Sequence, residues 1–234
     1  MATITATSSG NYDDCFIIGL GSASSSWSDT RNVTTGNYND GISTSNVGNG
    51  SNNVGSFKTC YRTFFSFDLS GEDAGTITSA TIKFYQSGDA TGFSTRTAQT
   101  DEYLHLCKAT PAGSDFVAAD FNNLDGWVSS GTYEGNVTQY AEKISQSGSA
   151  GWNTFNLNAT ALSDINSELA SGTIEVALLT SEDFTDNLEN PYSGGFFGIH
   201  GVLIWMAESA SKPTLEITYG AAATDNAVFF GCNF

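Results

Sequence analysis

The sequence predicts an all-β protein, a single jelly-roll-like antiparallel β-sandwich with one short helix, and three observations carry that prediction. Short runs rich in Thr, Val, Ile, Phe and Tyr recur between clusters of Gly, Ser, Asn and Asp, several with the period-two alternation of a half-buried strand. Helical periodicity is confined to one segment. Charged residues make up 14% of the chain while aromatics reach 12%, and the polar balance is Ser, Thr, Asn and Gly, a profile that suits pleated strands and their turns.

Seven strands follow in order: residues 61–69 (YRTFFSFDL), 78–86 (TSATIKFYQ), 102–108 (EYLHLCK), 151–157 (GWNTFNL), 172–180 (GTIEVALLT), 201–206 (GVLIWM) and 213–219 (PTLEITY). In the first, Phe65 and Phe67 point to one face and Phe64 to the other, so the strand is core on at least one side. Asp68 at its end is placed to accept hydrogen bonds from turn amides, and Arg62 to pair with one of the many acids. In the last strand Leu215, Ile217 and Tyr219 share a face. Between the fourth and fifth, residues 158–170 (NATALSDINSELA) space Leu162, Ile165 and Leu169 at i, i+3 and i+7, which predicts the helix.

With three prolines in the chain, Gly, Asn, Asp and Ser must make the turns. Residues 21–56 and 181–195 read as long loops, the places where binding is expected. Residues 1–219 form the sandwich domain and 220–234 a tail, in which GAAATDN is a small-residue linker and AVFFGCNF an apolar, strand-like end. The tail residues Val228, Phe229, Phe230 and Phe234 either add an edge strand to their own sheet or dock on a neighbouring subunit by strand addition.

Two hundred and thirty-four residues suffice for one sandwich with a full core. Eight Lys+Arg against 25 Asp+Glu give a net charge of −17, a surface that repels phosphate backbones and anionic lipid, so neither nucleic acid nor membrane is an expected partner. No stretch approaches the run of about 20 apolar residues that a membrane-spanning helix needs. The opening MATITATSSG has neither a basic n-region nor an apolar h-region, which leaves a removed signal or a route that needs none. Cys15, Cys60, Cys107 and Cys232 are widely spaced, with no CxxC, and read as reduced and structural.

Signals for catalysis are weak. The two histidines, His105 and His200, lie far apart, and no G-x-S-x-G elbow surrounds a serine. His105 and Cys107 share a strand face, which permits joint metal contact or simply two half-buried side chains. The adjacent acids Asp13-Asp14, Glu72-Asp73, Asp101-Glu102 and Glu182-Asp183 point to opposite faces when on strands and cannot form a glycosidase pair about 5 Å apart. No metal ligands are assigned. Calcium is the ion left open, through the oxygen-rich stretches at residues 37–41 and 182–186, although no EF-hand spacing is present. For glycan stacking the candidates are the loop aromatics Trp27, Tyr38, Trp127, Tyr133 and Tyr192, the alternative for each being a satellite packing cluster; Trp152 and Trp205, inside strands, are expected in the core.

The stretch YRTFFSFDLSGEDAGTITSATIKFY (residues 61–85) resembles the DNRLRE-type β-sandwich modules, with an aromatic-Arg strand ending in F-D-L-S and then I-T-S-A-T. Asp13-Asp14-Cys15-Phe16-Ile17, residues 152–160 (W-x-x-F-x-L-N-x-T) and residues 213–219 (P-x-L-x-I-T-Y) follow the same family's order. Residues 110–127 and 152–166 are similar to the variant found in phage and environmental viral structural proteins. The resemblance implies a non-catalytic, carbohydrate-binding-module-like sandwich used for attachment. The expected function is therefore a non-enzymatic virion structural protein, a capsid decoration or appendage subunit with an attachment role, whose partners are other virion proteins, further copies of itself and a host or surface polysaccharide. The alternative is a carbohydrate-binding module of a secreted or cell-surface protein, located extracellularly.

Overall fold

The computed structural model describes residues 2–5, 14–21, 25–40, 44–52, 58–72, 75–89, 103–145, 150–169, 172–187 and 197–220. Within them lie twelve strands: β1 (Ala2–Thr5), β2 (Asp14–Leu20), β3 (Asn37–Asp40), β4 (Thr44–Asn52), β5 (Lys58–Asp68), β6 (Ile77–Asp89), β7 (Tyr103–Lys108), β8 (Ile144–Ser145), β9 (Gly151–Asn156), β10 (Thr173–Thr180), β11 (Phe197–Trp205) and β12 (Thr214–Tyr219). They form an antiparallel β-sandwich. One sheet runs β3-β2-β5-β10-β7-β8 and the other β1-β12-β6-β9, and the β4–β11 ribbon joins them, β4 pairing with β5 and β11 with β6.

The alternation of each strand decides which layer its side chains enter. Phe65 and Phe67 of β5, Ile82 and Phe84 of β6, Phe155 of β9 and Leu215 of β12 meet between the sheets in the main core. Strands β7 and β10 are buried on both faces, which is why they read as near-continuous apolar runs. The expected helix is α2 (Ala159–Glu168); the Asn158 side chain caps it, accepting from the Ala161 amide at 3.0 Å, and Ala161 and Ile165 bury against the main core. Asp68 holds the turn after β5 as expected, its Oδ1 accepting from the Ser70 amide at 2.8 Å, and Ser70 lowers its carboxyl pKa from the usual value.

Residues 21–56, expected as a loop, contain a one-turn helix α1 (Trp27–Arg31) and strands β3 and β4. Helix α1 starts on a capping box: the Asp29 amide donates to Ser26 Oγ and the Ser26 amide to Asp29 Oδ2. Strand β4 (TSNVGNGSN) has one large apolar residue, the buried Val47. It is a strand because β11 pairs with its whole length and β5 with part of it, so tertiary hydrogen bonding overrides poor propensity. Residues 181–187, expected as the start of the second loop, form a third helical turn, α3 (Ser181–Thr185), which ends on Asp186 in the left-handed conformation, φ 54°. Residues 188–195 of that expected loop lie outside the described residues.

The outer face of the β2-β5-β10-β7 sheet carries a second core. Here Cys15, Cys60, Phe64, Cys107 and Leu179 are covered by a cap made of α1, α3 and the mostly irregular residues 109–141. Gly19 on β2 permits the close approach: a Cβ there would lie 2.6 Å from the Thr30 carbonyl oxygen and 2.7 Å from the Phe121 ring.

Beneath the cap sits a buried ion cluster. The fully buried Arg62 of β5 donates to both carboxylate oxygens of Asp183, from Nε at 2.6 Å and Nη2 at 2.8 Å. Its remaining donors reach the Phe121 carbonyl at 2.6 Å, Asn122 Oδ1 at 2.8 Å, the Arg31 carbonyl at 3.1 Å and Tyr133 Oη at 2.9 Å. Arg31 of α1 donates from Nε to the Asp183 carbonyl at 2.6 Å and lies over the Tyr133 ring, 3.7 Å from its centroid. One carboxylate thus ties two helices, a central strand and two loop segments together.

Two predictions follow from this packing. Replacing Asp183 with Ala leaves the buried Arg62 without its carboxylate and Arg31 with Asp186 alone at 3.7 Å, and is expected to lower unfolding free energy by about 3–5 kcal/mol, read from urea denaturation. His105 stacks face to face on Phe184 at 3.9 Å, and its Nδ1 lies 3.1 Å from Gln139 Oε1. Burial pulls its pKa down from 6.5 to about 4. The unfolded chain therefore binds a proton that the fold refuses between pH 6.5 and 4, and stability present above pH 6.5 is lost as pH falls through that window. Over 2.5 pH units this amounts to about 3 kcal/mol, and the His105→Gln variant should show that much less loss between pH 7 and pH 4 in parallel denaturation series.

Candidate functional site

Two of the loop aromatics, Trp27 and Tyr133, are buried, and one of the strand tryptophans, Trp152, is exposed, the reverse of what is expected of them. Tyr133, a stacking candidate, is fully buried in the cap core: its hydroxyl accepts from Arg62 and from Trp127 Nε1, and its ring carries Arg31 on one face. Trp27 is buried in the same cluster and Trp127 packs against it, half-buried. These three are packing residues, because an irregular cap over a sheet needs large rings to fill the space that regular elements would occupy. Of Tyr38 the structure describes the backbone, in β3; Tyr192 and the tail residues Val228, Phe229, Phe230 and Phe234 lie outside the described residues.

Trp152, expected in the core, is instead 53% exposed. It lies on the outer face of the β1-β12-β6-β9 sheet, because Phe155 takes the inward phase of β9 and leaves Trp152, Thr154 and Asn156 facing out. Directly across from it on β6 is Tyr85, in the same phase as the outward Lys83 and Thr81. The two rings meet edge to face, with centroids 5.5 Å apart and planes at 82°.

Trp205 completes the row from the other side of Tyr85, at 5.1 Å and 51°. Its alignment depends on a bulge: Leu203 pairs with Gly88 and Ile204 with Gln86, leaving Ser87 unopposed. A regular ladder would slip β11 by one residue and bring Gln86, which points inward, opposite Trp205. With Ser87 extruded, Trp152, Tyr85 and Trp205 form one lateral row across β9, β6 and β11.

The next two rows of the same face are polar. Thr154, Lys83 and Thr214 are in register across β9, β6 and β12, followed by Asn156, Thr81 and Glu216. Lys83 Nζ sits 2.7 Å from the Glu216 carboxylate. An exposed aromatic row beside rows of hydroxyl, amide and charged groups offers ring faces for stacking and flanking donors and acceptors for orientation, which is what a polyhydroxylated ligand requires.

Several other chemistry-bearing groups among the described residues are engaged within the fold. Burial raises the Cys60 and Cys107 thiols well above their ordinary pKa, so neither is a ready thiolate nucleophile, and burial likewise raises that of the Tyr133 phenol. His105 and Cys107 share the cap-facing side of β7, His105 against Phe184 and Cys107 in the second core. Glu182 and Asp183, in the stretch considered for calcium, belong to a helical turn, and Asp183 is taken up by Arg62 and Arg31. Among the described residues no group of three or more His, Cys, Asp or Glu side chains is arranged to hold a metal ion. A cavity of about 90 Å³ lined by Lys108, Tyr140, Asp164, Glu168 and Glu175 is internally paired, with Lys108 and Tyr140 both donating to Asp164.

Trp152 touches Tyr85 and solvent, whereas Phe155, three residues on, fills the main core. Trp152→Ala is expected to cost no more than about 1.5 kcal/mol, and Phe155→Ala about 3–5 kcal/mol, a contrast read from the urea midpoints of the two variants.

Compared with known proteins, the chain matches no family model and no curated protein at significant similarity.

Proposed function

We propose that this chain is a non-enzymatic attachment protein that holds a polysaccharide on the outer face carrying Trp152, Tyr85 and Trp205, and that it serves as a decoration or appendage subunit of a virion. The observation that carries the attachment reading is the aromatic row itself. A tryptophan left half in solvent on a sheet face gives up apolar burial, and the cost has a ready reason if a ligand covers the ring. The pyranose C–H face is the natural partner for the electron-rich ring face, and Thr154, Asn156 and Thr214 supply hydrogen bonds beside it.

The non-enzymatic reading is supported by the burial of Cys60, Cys107, His105 and Tyr133. The virion setting rests on the likeness of residues 110–127 and 152–166 to phage and viral structural proteins; these segments form part of the cap, strand β9 and most of α2. The acidic surface fits dense display, since copies bearing −17 repel one another away from their intended contacts.

A printed glycan array probed with the wild-type chain and with Trp152→Ala tests the attachment reading. Wild-type signal on at least one glycan class, weakened about tenfold or more by Trp152→Ala, is the expected result. Equal signal from both proteins, or none from either, removes it. Light scattering on the full chain and on a chain ending at Tyr219 tests the assembly role: oligomers of the first and monomers of the second are expected.

A further inference from the structure

We infer that the aromatic row takes a short stretch of a single, uncharged glycan chain, and that it takes neither a polyanionic polysaccharide nor the flat face of a crystalline one. The inference rests on the attachment reading and narrows it through two independent features, ring geometry and charge.

The first feature is the inclination of the rings. A crystalline polysaccharide presents a plane, and a protein that adheres to it needs several rings exposed in one plane. Here the Trp152 plane stands at 82° to Tyr85 and the Trp205 plane at 51° to it, with centroids 5.5 and 5.1 Å from the Tyr85 centroid. The three rings therefore cannot lie flat against a common plane. Neighbouring ring centres are about as far apart as the width of one pyranose, so the row grips one or two sugar units from more than one side. Strand β9 pairs with β6 along one edge and carries Trp152 at the outer end of the row, where a longer chain can run past the sheet.

The second feature is the fate of the cations. A polyuronate or sulfated chain needs unpaired Lys or Arg in line with its charges. Among the basic residues whose side chains the structure describes, Arg31 and Arg62 are buried on the opposite sheet, engaged with Asp183, and Lys212, two residues before Thr214, has a partner of its own. Lys108 is held by Asp164 at 2.8 Å, and Lys143 lies over the Tyr103 ring, both away from the row. Lys83, two residues from Tyr85 on the same face, is already neutralised by Glu216 at 2.7 Å. Among the described residues, a polyanion approaching the row meets lysines that already have partners, against a background of −17, and that field opposes it most at low salt.

Affinity electrophoresis tests the inference with three probes: native gels cast with a soluble mixed-linkage β-glucan or a galactomannan, native gels cast with polygalacturonate, and depletion by crystalline cellulose powder. The wild-type chain, Trp152→Ala and Thr154→Ala are run on each at low and at physiological salt. Retardation by a neutral soluble polymer is expected, weakened about tenfold by Trp152→Ala and less by Thr154→Ala, with unaltered mobility in polygalacturonate and no depletion by the powder. Retention that Trp152→Ala abolishes but that occurs on polygalacturonate or on the powder overturns the inference and leaves the attachment reading standing. Absence of retention on every matrix, or retention indifferent to Trp152→Ala, overturns both. Self-association that Trp152→Ala abolishes, with no glycan retained, assigns the row to a second copy of this chain and also overturns both.

Discussion

The bidentate contact between Arg62 and Asp183 is the constraint on which one side of this molecule depends. Arg62 projects from a central strand into the space above the sheet, where an isolated guanidinium would cost several kcal/mol of desolvation. Asp183 arrives on α3, immediately after β10, the strand that pairs with β5. Neighbouring strands thus deliver the two charges to the same place from positions 121 residues apart in sequence. Once paired, the cluster's remaining donors and acceptors dictate the rest: the carbonyls of Arg31 and Phe121 and the hydroxyl of Tyr133 must come to Arg62, and the loops bearing them become a cap. The irregular backbone of residues 109–141 is in this sense organised by side-chain demand rather than by its own propensity.

The other outer face is organised by register. Among the described residues no charged side chain is fully buried there, and the aromatic row follows from two pairings and one bulge. The sandwich therefore separates its duties: the capped sheet holds the polar groups that are costly to disturb, and the uncapped sheet presents side chains that contribute little to the fold. A binding surface on the second sheet is insulated from the stability demands of the first by the main core between them.

Much of this was legible in the sequence because burial imposes periodicity. All seven expected strands occur, with ends displaced by up to four residues, and α2 lies inside the expected segment because Leu162, Ile165 and Leu169 mark its face. The roles of Arg62 and Asp68 were legible as well, since a strand-interior arginine in an acidic chain must find an acid and a strand-end aspartate faces turn amides. Strand β4 was not legible, as TSNVGNGSN owes its conformation to partners on both edges. Nor were the positions of the tryptophans. Burial of Trp27 follows from its place at the start of a capped helical turn under the loop layer, and exposure of Trp152 from the phase that Phe155 sets. The Ser26-x-x-Asp29 capping box was the available signal for the first, and the alternation of Trp152, Thr154 and Asn156 against Phe155 for the second.

Ser87 carries a consequence beyond the alignment of three rings. By leaving one residue unopposed, the bulge shifts the register of β6 between its pairing with β9 and its pairing with the far part of β11. A second shift, between Thr218 and Tyr219 of β12, lies towards the other end of β6, so the regular ladder that carries Tyr85 is bounded by an irregularity on each side. A fold built this way can accept insertions and deletions beyond those irregularities over evolutionary time without rotating Tyr85 out of its row. The irregularity in the ladder is what makes the regular part of the surface heritable.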